Sequence, residues 1–149
     1  MWSRRKRKGN KRLTSLPAYL AAAALLLGFI VVAGATAAKP ALRDVTRITE
    51  GLIDTAIAYE IGDKCDTLDA RLVAGVNFLY GLRAHAVELG YTDPEIDAYV
   101  EDRAEQQRLE SIARSRLRDK GAVDGQWDTY CAVGRQEIAA NSQIGRLLR

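Results

Sequence analysis

Leu72-Val73-Ala74-Gly75-Val76-Asn77-Phe78-Leu79-Tyr80-Gly81-Leu82-Arg83-Ala84-His85-Ala86-Val87-Glu88-Leu89-Gly90 sets the reading of everything around it. Leu68, Leu72, Val76, Leu79, Leu82, Ala86 and Leu89 recur three or four residues apart, the period of an α-helix. Val73, Phe78 and Tyr80 widen that stripe until almost no polar side is left. A helix apolar on nearly all sides is a buried helix by the ordinary rule. The stretch therefore predicts a helix from about Asp66 to Leu89, the most buried one of the chain. Gly90 follows as a helix-ending residue, because glycine alone takes the left-handed conformation cheaply.

The same period extends to both sides. Upstream, Leu42, Val45, Ile48, Leu52, Ala56 and Ile57 predict a helix over about Leu42–Ile61, closed by Gly62. Downstream, Thr92-Asp93-Pro94-Glu95 supplies a cap, a proline for the first turn and a glutamate three residues after the cap. That start predicts one long, mostly solvated helix to about Lys120, acidic at its beginning and basic at its end, as the helix dipole favours. A fourth helix is expected from Asp124 or Gly125 to Ala140, with Trp127, Tyr130, Cys131, Gly134 and Ile138 on one face, Gly134 allowing a close approach and Asn141 closing it. Alternating strand patterns and hairpin turns between β-branched runs are missing. The predicted class is all-α, an irregular four-helix bundle over residues 39–149.

Residues 1–38 read differently. Arg4, Arg5, Lys6, Arg7, Lys8, Lys11 and Arg12 precede Leu13–Ala38, which is 26 residues without a charge. The run is most apolar at Leu25–Val32 and ends in Ala35-Thr36-Ala37-Ala38. Basic, apolar, small is the order of a secretory signal peptide, with Ala35-Thr36-Ala37 as a cleavage site and Pro40 just beyond it. An uncleaved membrane anchor is the rival, since Ala18–Ala38 has the length to span. Its many alanines favour the signal over the anchor. Either way the positive end stays in the cytoplasm and the domain is exported. Arg4-Arg5 gives only a weak twin-arginine reading, because Lys6-Arg7-Lys8 follows where an apolar pair belongs. The expected location is the periplasm, free or tethered to the inner membrane through residues 13–38.

That division corrects the charge. The whole chain carries +3, but residues 1–38 hold seven of its 22 basic residues and none of its 19 acidic ones. Residues 39–149 thus have 15 basic against 19 acidic residues, a net of −4. A mildly acidic domain gives no support for nucleic-acid binding. The only cysteines, Cys65 and Cys131, are expected to pair once the domain reaches an oxidising compartment. Their spacing is far too wide for a C-x-x-C redox site.

Catalytic and metal chemistry find little footing. His85 is the single histidine, too few for a transition-metal site. Asp63, Asp66 and Asp69 lie three apart but do not form the twelve-residue calcium loop, and Asp66 reads better as a helix cap. Ser111, Ser115 and Ser142 lack a nucleophile motif, and the glycines stand singly rather than in a phosphate loop. No cofactor is implied, and the chain reads as non-enzymatic. Phe78, Tyr80, Trp127 and Tyr130 read as core first and as a ligand pocket between the second and fourth helices second. The end of the chain, with Ile144, Leu147 and Leu148 in its last six residues, reads either as docked on its own bundle or as a partner-binding segment.

With Cys65, Tyr91-Thr92-Asp93-Pro94, Tyr130-Cys131-Ala132-Val133-Gly134 and Ile144-Gly145-Arg146-Leu147-Leu148 in view, the chain from about Val45 onward resembles a family of small exported bacterial proteins of unknown function. Some members are encoded near subunits of the proton-pumping NADH:quinone oxidoreductase, which implies an envelope accessory role. The shared motifs are structural, so no active site comes with the resemblance. In plan alone the chain is also similar to the acid-activated periplasmic chaperones. The expected function is therefore a protein-binding or accessory factor of an inner-membrane or envelope complex. The alternative is a periplasmic small-ligand binder or chaperone-like protein.

Overall fold

The computed structural model describes residues 38–149. The signal or anchor reading of Leu13–Ala38 falls almost wholly outside the described residues. Six helices follow a 3-10 turn at Leu42–Asp44: α1 Thr46–Lys64, α2 Leu72–Glu88, α3 Asp93–Glu101, α4 Arg103–Asp119, α5 Trp127–Ala139 and α6 Gln143–Arg146. The described part is helical, with two isolated bridges, Ala70 with Leu148 and Val123 with Gln126. Among the described residues no helix is long and apolar enough to cross a membrane.

The centre of the fold is α1. It packs on α2, α4, α5 and α6. Ile53, Ile57 and Ile61 on its inner face are essentially sealed from solvent. Gly62 does not end this helix, which continues to Lys64. It is glycine because a Cβ there would lie 2.6 Å from the backbone nitrogen of Ala70. A smaller apolar cluster, Leu42, Ile48, Ala86, Tyr91 and Ile96, closes the other end of α1. Glu105 ties the chain's entry to α4 there. Its buried carboxylate bonds Arg108, at 2.6 Å to Nε, and also Arg43.

Four helices become six because the third splits in two and the tail adds α6. The long third helix breaks at Asp102, whose backbone is extended and whose carboxylate accepts from the N–H groups of Ala104 at 2.8 Å and Glu105 at 3.2 Å. Aspartate in mid-helix competes for backbone donors and restarts the helix as a cap. The second helix begins at Leu72 rather than near Asp66, and Arg71, not Asp66, is its cap position. Asp66 and Thr67 make a turn instead, and residues 69–71 pair with the chain end: Asp69 N to Arg149 O is 2.9 Å, Arg149 N to Asp69 O is 3.0 Å and Arg71 N to Leu147 O is 2.8 Å. The Thr92 start is as expected, with Glu95 Oε2 accepting from the Thr92 backbone N–H at 2.7 Å. Those bonds and Lys39 at 3.0 Å hold the Glu95 carboxyl down at about 2. Asn141, at φ 50, closes α5. On α5, Trp127 and Ile138 are partly open while Tyr130, Cys131, Val133 and Gly134 are buried.

Cys65 and Cys131 form a disulfide with a Cα–Cα distance of 5.0 Å. It joins the end of α1 to α5. Beside it Gly134 lets Leu68 and Ile61 press against the α5 backbone, since a Cβ would lie 2.5 Å and 2.8 Å from them.

Candidate functional site

The second helix is not the most buried one. It packs on α1, with a smaller contact to α3. Leu82 and Ala86 are buried beneath it, but Val73 is 76% exposed, Leu72 69% and Tyr80 67%. Val76 and Val87 are also about half open. The sequence offers no charge between Leu72 and Leu82, so this outward side is apolar where a solvated helix would be polar. Val73, Tyr80 and Val87 are seven residues apart, with Val76 and Ala84 between them. Intervals of three and four residues set all five on one face of the helix. Tyr59 of α1, itself 63% exposed, extends the patch sideways. Single exposed aliphatics need no explanation, but here several exposed apolar side chains share one face.

A groove of about 330 Å³ runs along one flank of this face. Its walls include Leu52 of α1, Val76 and Leu79 of α2, and Ile96 and Tyr99 of α3. Arg83 stands at its side, bonded at 2.7 Å to both Asp93 and Asp97. The Tyr99 hydroxyl is buried beside the Arg108 guanidinium, which does not line the groove.

A polar cleft lies on another side of the molecule, where α1, α4, α5 and α6 meet. Arg116 there clamps Glu50 at 2.5 Å and 2.9 Å. Lys120 Nζ and Ser142 Oγ reach Glu137 at 2.7 Å and 2.5 Å. Burial pushes Asp54 above the usual carboxylate range, helped by the charges of Glu50 and Glu137 against Arg116 and Lys120. Burial works on Glu137 too, but the bonds from Lys120 and Ser142 outweigh it and hold that carboxyl below its ordinary value. Each cation of the cleft is answered by a carboxylate of a neighbouring helix. The arrangement fastens four helices rather than presenting a charge to a ligand.

The residues singled out from the sequence take these places. Ile144, Leu147 and Leu148 are all buried, against α5 and α1. They are turned into the core and offer no surface to a partner. The aromatic pocket is not assembled: Trp127 and Tyr130 meet edge to face at 5.7 Å on α5, Tyr80 faces outward on α2, and Phe78 lies at the core's edge. His85 stands 3.5 Å from Glu88 on its own helix. Asp63 pairs with Lys64, and Asp69 lies near Arg149. Ser142 caps α6, accepting from Gly145 N at 2.9 Å. Among the described residues no three His, Cys, Asp or Glu side chains converge as a metal-holding group.

Residues 40–149 match the model of a family of unknown function, DUF5333. The chain belongs to that family. The match takes in all six helices. No curated protein and no solved structure matches the chain. Membership brings no activity with it, and the open face of α2 is the feature that asks for a function.

Proposed function

We propose that this is an exported, non-enzymatic helical protein of the bacterial envelope. It works by protein contact, as an accessory factor, and the solvent face of α2 makes the contact. The observation that carries this reading is a 17-residue helix, apolar on its outer side and uncharged from Leu72 to Leu82, that the rest of the domain covers on one side only. Export is supported by the basic, apolar and small order of residues 1–38 and by the Cys65–Cys131 bridge, since such bridges persist in oxidising compartments. A non-catalytic role is supported by the missing nucleophile motifs and by the mutual pairing of the polar groups in the α4–α5 cleft. The test is a photoreactive residue at Tyr80 in the full-length protein, irradiated in cells, with the exposed Arg103 of α4 as control. Protein adducts specific to Tyr80 are expected. Equal yields at the two positions would sink the reading.

A second reading has its own observation. The groove beside α2 is walled by Leu52, Val76, Leu79, Ile96 and the ring of Tyr99, which suits a small lipophilic ligand. Medium-chain alcohols and fatty acids should then raise the melting temperature. Identical melting curves across that series would remove this reading.

A further inference from the structure

We infer that the occupant of the α2 face is a second copy of this chain, packed antiparallel through α2. The inference rests on the docking reading above and names the partner of that same face.

Three observations select a second copy. The first is area. Leu72, Val73, Val76, Tyr80, Val87 and Tyr59 together leave roughly 700 Å² in the open at the sizes of such side chains. That approaches the ~800 Å² which each partner contributes to a stable interface of standard size.

The second is symmetry. A two-fold interface brings one patch against itself, so the patch must be self-complementary. Val73 and Val87 lie seven residues to either side of Tyr80. A dyad through Tyr80 sets Val73 of one copy against Val87 of the other, and Val76 against Ala84. Valine thereby meets valine at the two ends, Val76 meets Ala84 between them and Tyr80 meets its own copy on the dyad, and the seven-residue spacing suits two helices crossing at a shallow angle. Gly81, beside the seam, has no atom within 4 Å of where its Cβ would stand, so a neighbouring backbone has room there.

The third is charge. The centre of α2, from Leu72 to Leu82, carries none, so self-contact buries no like pair. The ends then choose the direction. Arg71 precedes α2 and Glu88 closes it. Antiparallel pairing sets Arg71 of one copy at the end where the other carries Glu88. Parallel pairing would place Arg71 by Arg71 and Glu88 by Glu88, which costs rather than contributes. Arg83, the one charged side chain near the seam, already carries Asp93 and Asp97 and faces the neutral Asn77 of the other copy.

The experiment is cysteine cross-linking in the full-length protein. Both native cysteines are committed to the disulfide, so a new thiol is unambiguous. Tyr80→Cys lies on the proposed dyad and should pair with itself, giving about tenfold more covalent dimer than the control Arg103→Cys, because disulfides form only between close, facing positions. Val73→Cys and Val87→Cys should cross-link when co-expressed with different tags, and neither should dimerise alone. Self-pairing of Val87→Cys without a mixed product would overturn the antiparallel arrangement. Dimer yields at Tyr80 no higher than at Arg103 would overturn the second copy altogether. The photoreactive residue at Tyr80 separates that failure from a wider one: adducts to other proteins then leave the docking reading standing, and their absence removes both.

Discussion

Leu148→Ala tests whether the end of the chain is part of the core. Leu148 is 4% exposed, and one of its methyls lies 3.5 Å from where a Cβ on Gly134 would be. Truncating a buried leucine costs about 2–5 kcal/mol, the spread reflecting how far neighbours collapse into the cavity. Collapse is poor here. Gly134 and nearby Gly62 have no side chains to swing in, and the Cys65–Cys131 bridge restrains the adjoining backbone. The backbone bonds from residues 69–71 to 147–149 do not involve the Leu148 side chain, so the change isolates its packing. A loss of about 3–4 kcal/mol follows, a large part of the ~5–15 kcal/mol that holds a domain together. In urea unfolding without reductant, with a slope near 1.5 kcal/mol/M, the midpoint should fall by about 2 M and the slope should hold. A fall under about 0.5 M at constant slope would refute the docked tail, because surface substitutions stay within about 0.5 kcal/mol.

Other expectations follow from single contacts. Gly145→Ala puts a Cβ 2.1 Å from the Glu137 carbonyl oxygen and should cost about 3 kcal/mol in thermal or urea unfolding, since backbone cannot yield as a side chain does; an unchanged melting temperature would mean α6 sits elsewhere. Replacing Cys65 and Cys131 together by serine opens a bridge between residues 66 apart and should cost about 4 kcal/mol, the effect vanishing when both proteins are compared in reductant. Asp54 has a folded-state carboxyl raised above 3.8, so its stabilising effect is complete below 3.8 and is lost as pH rises through the folded value. Asp54→Asn should therefore be more stable than wild type at neutral pH and lose that advantage in acid; parallel pH–stability curves would contradict the burial argument. Glu95 has the opposite sign. Held at about 2, it contributes above 4.5 and loses that contribution as pH falls toward 2, so Glu95→Gln should flatten the acid limb of the stability curve.

Much of this was legible in advance. The helical period, the Thr92 start, the close approach at Gly134 and the closure at Asn141 are local matters of sidedness, capping and bulk, and the structure has each of them. The candidate face was visible too, but as its opposite. Val73, Val76 and Tyr80 look like core because periodicity reports which residues share a side, not whether that side has a neighbour. On a helix apolar nearly all round the distinction disappears from the sequence.

By itself, then, the sequence determined what each segment could become: helices from spacing, caps from Thr92 and Glu95, an acidic stretch behind a basic and then apolar one. Only the tertiary structure decided which of those helices is central. Asp102 spent its carboxylate on two backbone donors and split a helix, and Asp69 and Arg71 spent their N–H groups on the chain end and shortened another. Those are contests between local and distant hydrogen bonds of similar strength, and chain order does not settle them. Their outcome put α1 in the middle, sealed Ile144, Leu147 and Leu148 inside, and left one side of α2 facing outward.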